Sequence, residues 1–177
     1  MRALARVVLG VAVVIAIVVA VGLLLPRGYR VERSIEIAAA QERIFANLED
    51  PRAWVKWTVW NQRDPNMALE YSGAPAGVGA KWAWRSKTEG TGSMEFTRVE
   101  APALIEYRLF FPDFDAASTG QIRLAPAGTG TRVVWSNQGE LGSNPLMRYI
   151  GLFMDSMMGP DFEAGLKNLK ALAEKAE

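Results

Sequence analysis

The chain contains no cysteine and no histidine among its 177 residues. Their absence removes thiol nucleophiles, disulfides, imidazole general bases and the usual zinc ligand sets together. Asp, Glu, Lys, Arg, Tyr and Ser remain for catalysis, and none of them falls in a recognisable catalytic motif. A phosphate-binding glycine loop is missing too: Gly73-Ala74-Pro75-Ala76-Gly77-Val78-Gly79 carries a proline, lacks a lysine and reads as a turn between strands. Nor is positive charge in excess. The 20 Lys plus Arg stand against 19 Asp plus Glu, and setting aside Arg2 and Arg6 leaves 18 against 19, or −1. A surface without a basic excess has little with which to displace counterions from phosphates, so nucleic acid is not expected as a partner. No metal and no cofactor is expected, and the sequence after the N-terminal apolar run has no repeat or low-complexity tract.

What the chain does have is a run of 19 residues without a charge, Val7 to Leu25. As a helix it covers about 28 Å, the thickness of a bilayer's hydrocarbon core. Arg2 and Arg6, with Ala20-Val21-Gly22 as small residues, also fit a cleaved signal peptide. The apolar run continues through Leu23, Leu24 and Leu25 past that site, which favours an uncleaved single-pass anchor. Arginines flank both ends: Arg2 and Arg6 on one side, Arg27, Arg30 and Arg33 on the other. The expected orientation in the cell membrane is N-terminus inside and domain outside. Residues 1–26 are then the anchor and 27–177 one domain, since about 150 residues form one good core and too little for two.

Within that domain the apolar periodicity alternates between strand and helix. Tyr29, Val31, Ile35 and Ile37 alternate with polar residues in a first strand whose apolar face only Arg33 breaks. A short helix over 40–48 carries Ile44, Phe45 and Leu48 and stops at Asp50-Pro51, and a further helical turn holds Trp54 and Trp57. Strands are predicted over 67–72, 80–86, 90–99, 103–111, 118–124 and 131–139, with short connections that imply an antiparallel meander. Ser143 or Asn144 caps a helix with Pro145 in its first turn. Gly159-Pro160 is expected to interrupt it before a last amphipathic helix over 161–176, with Phe162, Leu166, Leu169, Leu172, Ala173 and Ala176 on one face. The fold class is α+β: a curved antiparallel sheet of about seven strands with helices on one face.

Several strings in this order resemble a known family. They are Val31-Glu32-Arg33-Ser34-Ile35, Ile44-Phe45 with Asp50-Pro51 and Trp54-Val55-Lys56-Trp57, and Trp60-Asn61-Gln62-Arg63-Asp64-Pro65-Asn66-Met67. Others are Tyr71-Ser72-Gly73, Gly77-Val78-Gly79-Ala80, Gly92-Ser93-Met94, Gly130-Thr131-Arg132-Val133 before Trp135, and Gly159-Pro160-Asp161-Phe162-Glu163 with Gly165-Leu166 and Asn168-Leu169-Lys170. Over Arg30 to Ala173 the chain resembles the START-like, or SRPBCC, superfamily with the helix-grip fold, in the branch named for polyketide cyclase/dehydrase and lipid transport. The resemblance implies a hydrophobic tunnel between the concave sheet and the long final helix. Trp82, Trp84, Met94, Phe96, Tyr107, Trp135, Met154, Met158 and Phe162 are the candidate wall of that tunnel, and packed core is the competing reading for each. The Met-rich segment Met147–Met158 fits a core helix, a lid over the cavity or a membrane-surface contact. Gly165 is expected to keep bulk out of the space beneath it. Arg85, Glu95, Glu106, Arg108 and Arg123 are expected on the solvated sheet face.

The functional expectation is a membrane-tethered domain binding an apolar small molecule or lipid. Two alternatives stay open: a cyclase- or dehydratase-type enzyme using the pocket as a template, with Tyr107 as its first polar candidate, and an interaction module whose interior is filled by its own side chains.

Overall fold

The computed structural model describes residues 2–175. Helix α1 (Arg2–Leu24) is apolar and exposed along its length, Gly22 being its one buried residue. It is long and apolar enough to cross a membrane. Strand β1 (Gly28–Ile37) follows after three residues. It is succeeded by α2 (Gln41–Phe45), a 3-10 helix (Pro51–Lys56), α3 (Trp60–Arg63), strands β2 (Ala68–Gly73), β3 (Ala80–Arg85), β4 (Thr91–Glu100), β5 (Leu104–Phe111), β6 (Ala116–Ala127) and β7 (Gly130–Glu140), and finally α4 (Arg148–Glu174).

The strands form one antiparallel sheet in the order β1-β7-β6-β5-β4-β3-β2. Successive strands from β2 to β7 are neighbours because their connections are short, and β1 closes the edge beside β7. The sheet curves around α4, as the expected α+β helix-grip architecture requires. Alternation puts Val31 and Ile37 of β1, Met94 and Phe96 of β4, and Ile122 and Leu124 of β6 on the inner, buried face. Of the five charged strand residues expected outside, Arg85, Glu95, Arg108 and Arg123 are exposed and Glu106 is half-buried.

Two helical expectations need correction. The first helix stops at Phe45, and Leu48 is buried from a following turn. More consequentially, α4 runs unbroken through Gly159-Pro160 for 27 residues. Its regular part begins at Arg148 and not at Pro145, because Asn144 closes a turn first: its side-chain Oδ1 accepts from the Leu146 N–H at 3.0 Å, its main-chain carbonyl from the Met147 N–H at 3.1 Å. Ala176 lies outside the described residues. Proline in a helix removes one backbone bond and costs about 3 kcal/mol, so something must hold the helix across this point. Arg33 of β1 does so. Its guanidinium lies directly against Gly159, donates to Asp155 one turn before it (2.7 and 3.0 Å) and to Glu163 one turn after it (2.7 Å). The residue that broke the apolar face of the first strand is the strap of the last helix.

The core is densest at one end of the sheet. Toward the β6–β7 hairpin and the C-terminal half of α4, Ile37, Ile44, Leu48, Ile105, Ile122, Leu166 and Leu169 are fully buried. Trp54 of the 3-10 helix projects into this region and touches Trp57, Trp82, Phe96, Tyr107 and Trp135, with ring centroids 4.8–6.1 Å apart.

Candidate ligand cavity

The other half of the interior is hollow. A cavity of about 1450 Å³ lies between the inner sheet face, the 3-10 helix with α3, and the N-terminal half of α4. Its lining runs from Trp54 and Trp82 outward to Gly28, Phe111, Ala116, Glu140 and Met147. These outer residues sit where β1 begins and β7 ends, since Gly28 pairs with Glu140 and Phe111 with Ala116. The hollow end of the domain is therefore the end that carries α1.

Of the nine residues expected on the wall, seven line the cavity: Trp82 and Trp84 of β3, Met94 of β4, Tyr107 of β5, and Met154, Met158 and Phe162 of α4. Phe96 and Trp135 do not. Phe96 lies two residues further along β4 than Met94, where the Trp54 indole fills the interior; its ring packs against Trp54 and Trp82 at 5.7 and 5.6 Å. Trp135 is sandwiched between Trp57 and Phe162, the latter stacked on it at 4.0 Å and 2°. Alternation assigns a face, but which part of that face is hollow depends on where the 3-10 helix sits. Gly165 also plays a different role from the one expected. A Cβ there would come within 3.0 Å of Trp135 and 3.6 Å of Trp57, so the absent side chain accommodates indoles rather than empty space.

The polar groups on the lining include two hydrogen-bonded patches. At the inner wall, Trp135 Nε1 donates to the Tyr107 hydroxyl at 2.7 Å, Tyr29 donates to Asn137 Oδ1 at 3.2 Å, and Asn137 Nδ2 donates to Ser118 at 3.2 Å. Tyr29, Tyr107 and Ser118 reach the cavity surface. Burial pushes both phenols above the ordinary tyrosine range, Tyr107 most strongly. Tyr107 is thus a neutral hydroxyl and a poor base. Its ring lies across Gly120, its partner in β6, where any side chain would collide with it.

The second patch ties three elements together near the mouth. Arg63 of α3 donates to Asp161 of α4 (2.6 and 2.8 Å) and to Glu89 of the β3–β4 loop (2.9 and 2.8 Å), while Trp60 Nε1 donates to Asp161 at 3.1 Å. Hydrogen bonds donated to the two carboxylates raise the Arg63 pKa further. Sequence reasoning singled out none of Tyr29, Ser118, Asn137, Arg63, Glu89 or Asp161 as site residues. A signal existed for Ser118 and Gly120, small residues in the inward phase of β6, where a packed core would carry bulk. Nothing local marks the Arg63 patch, whose partners are 26 and 98 residues away. Among the described residues no group of three or more acidic side chains is placed to hold a metal ion. The chamber is apolar over most of its wall and offers a hydrogen-bonded cluster of hydroxyls at its inner end, a chemistry suited to a greasy molecule that carries a polar group.

Solved structures share this architecture. Protein MLL2253 from Mesorhizobium loti is 20% identical, with a TM-score of 0.59 over 84% of this chain and 98% of its own. Protein CV1439 from Chromobacterium violaceum, also 20% identical, gives 0.59 over 85% and 100%. The di-domain ARO/CYC StfQ from the steffimycin biosynthetic pathway is 16% identical and gives 0.62 over 83% of this chain and 51% of its own. At these identities the likeness establishes the fold alone. No curated protein sequence matches the chain. The family described as polyketide cyclase/dehydrase and lipid transport matches residues 29–174, and with most of its length inside that match the chain belongs to this family.

Proposed function

We propose that the protein is a membrane-tethered binding protein, residues 1–26 serving as anchor and 27–177 as a START-like domain that takes an apolar small molecule or lipid into the cavity. The observation that carries this reading is the division of the interior: one end is solidly packed by the Trp54 cluster, while the other holds an open-mouthed cavity of about 1450 Å³ with largely apolar walls. An interaction module without a ligand would be expected to fill that space with its own side chains. The anchor supports a ligand drawn from the adjoining bilayer, and the Tyr29–Asn137–Ser118 hydroxyl patch supports a molecule with one hydrogen-bonding group. Mass spectrometry of the full chain, purified in mild detergent and analysed intact, is expected to find a co-purifying apolar species in about one copy per chain, as one continuous cavity allows. Its repeated absence, together with no uptake of fluorescent fatty acids, overturns the reading.

A cyclase- or dehydratase-type enzyme would use the same chamber, and the observation favouring it is the neutral Tyr107 hydroxyl at the inner wall. On that reading the hydroxyl polarises a substrate carbonyl. A Tyr107→Phe variant that keeps full turnover of an identified substrate overturns it. The domain is assigned to the extracytoplasmic side; an inactive C-terminal alkaline phosphatase fusion with an active cytoplasmic reporter at the same position would reverse that assignment.

A further inference from the structure

The start of α4 is bonded to the end of α1. Arg148 is almost completely buried, and its Nη1 donates to the Leu23 and Leu25 carbonyls at 2.8 and 3.3 Å and approaches that of Gly22 at 3.5 Å. It caps the exposed carbonyls of a helix C-terminus, where a cation is favoured. Tyr149 donates to the carbonyl of Val18, six residues before the end of α1, at 2.8 Å. Gly22 lies against the backbone of Pro145, so closely that a Cβ would sit 2.6 Å from its carbonyl oxygen. Six residues of helix span about 9 Å. The segment from Pro145 to Tyr149 therefore runs beside the last two turns of α1 and not above its tip.

That segment is also apolar on the outside. Leu146, Ile150, Phe153 and Met157, spaced by four, three and four residues, form a stripe on the outer face, with Phe153 60% and Met157 64% exposed. Ile150 and Met157 of this stripe also border the cavity, together with Met154 and Met158 on the neighbouring face. A helix apolar on both faces has no soluble surface of its own. Between Leu141 and Met158 the only charged side chains are Arg148, spent on the α1 carbonyls, and Asp155, paired with Arg33. Tyr149 and the exposed Arg27 stand where an aromatic and a basic residue anchor a span at the lipid–water boundary.

We infer that residues Leu146–Met157 are a membrane-embedded wedge, lying in the same leaflet as the C-terminal end of α1, so that the part of the cavity rim formed by Ile150, Met154 and Met157 faces lipid. The partner is the bilayer surface itself, and the inference rests on the reading of α1 as a membrane span. It goes beyond tethering: Arg148 and Tyr149 fix how the domain faces the membrane, and the ligand passes sideways between leaflet and cavity past Ile150, Met154 and Met157.

The absence of cysteine makes the test direct. Single Phe153→Cys, Met157→Cys, Val13→Cys and Thr129→Cys variants of the full chain are labelled with an environment-sensitive fluorophore in phosphatidylcholine vesicles. Quenching is read with lipids carrying a nitroxide near the top or near the end of the acyl chain. Val13 lies mid-span, and Thr129 at the tip of the β6–β7 hairpin, the far end of the sheet from Gly28. The expected result is strong quenching of Val13 by the deep nitroxide, and quenching of Phe153 and Met157 by the shallow one several-fold above that of Thr129. Quenching of Val13 with Phe153 and Met157 no different from Thr129 overturns the wedge and leaves the anchor standing. Loss of quenching at Val13 as well overturns the span and the wedge with it. Labels at Phe153 and Met157 that are shielded from both lipid and water mark a protein partner or a second copy on this face, which also overturns it.

Discussion

Gly165 sits in α4 over two indole rings, and two opposing effects meet there. An alanine would gain about 1 kcal/mol in helix propensity, yet its methyl would stand 3.0 Å from a Trp135 ring already stacked on Phe162 and edged by Trp57. Rings packed on both sides cannot retreat, and overpacking of this kind costs about 1–3 kcal/mol. Gly165→Ala is therefore expected to lower the denaturation midpoint followed by tryptophan fluorescence, and Gly165→Leu to lower it much further. Tyr107 gives the second prediction at this scale. Truncation to phenylalanine leaves the buried Trp135 N–H without its acceptor, at a cost of about 1–3 kcal/mol. Its phenol titrates higher folded than unfolded, so above about pH 10 the folded state holds the extra proton and stability falls as pH rises. Tyr107→Phe is expected to be less stable at neutral pH and to show a shallower alkaline loss, Tyr29 and Tyr71 contributing to the remainder. Both are read from denaturation curves across pH.

At the level of elements, strand positions were legible because the inner faces are largely period-2 apolar rows, and β1 to β7 all fall within two or three residues of expectation. The continuity of α4 was not legible. Gly159-Pro160 is a stop signal by every local rule, and the contact that overrides it comes from Arg33, more than a hundred residues earlier. Without that contact the signal should regain its force: Arg33→Met is expected to accelerate amide hydrogen exchange around residues 155–163, with β5–β7 unchanged. Acid has the same direction of effect. The Arg33 guanidinium holds the Asp155 carboxyl below its usual range, so the strap's contribution is present above about pH 4 and disappears as pH falls through the lowered value. Unchanged exchange in Arg33→Met would show that the helix crosses the proline unaided.

Over the whole molecule, the sequence carries the fold more plainly than the site. Binary pattern and local strings specify a sheet gripping a helix, and they place Trp82, Trp84 and Met94 on the right face. They do not say that Trp54 crosses the interior and divides it, which is why Phe96 and Trp135 are core while their neighbours in the pattern border a chamber. Nor do they reveal that the chamber adjoins α1, a consequence of strand register and of the Arg148 cap. The hollow part of the interior and the helix long and apolar enough to cross a membrane thus meet at one end of the domain.

Saturable uptake of a fluorescent fatty acid by the full chain in lipid nanodiscs, read as energy transfer from the wall tryptophans against empty nanodiscs, tests this arrangement most directly. Binding of about one molecule per chain, weakened by Met154→Trp, which adds bulk to the chamber wall on α4, is the predicted result. No saturable uptake, or uptake that Met154→Trp leaves intact, contradicts it.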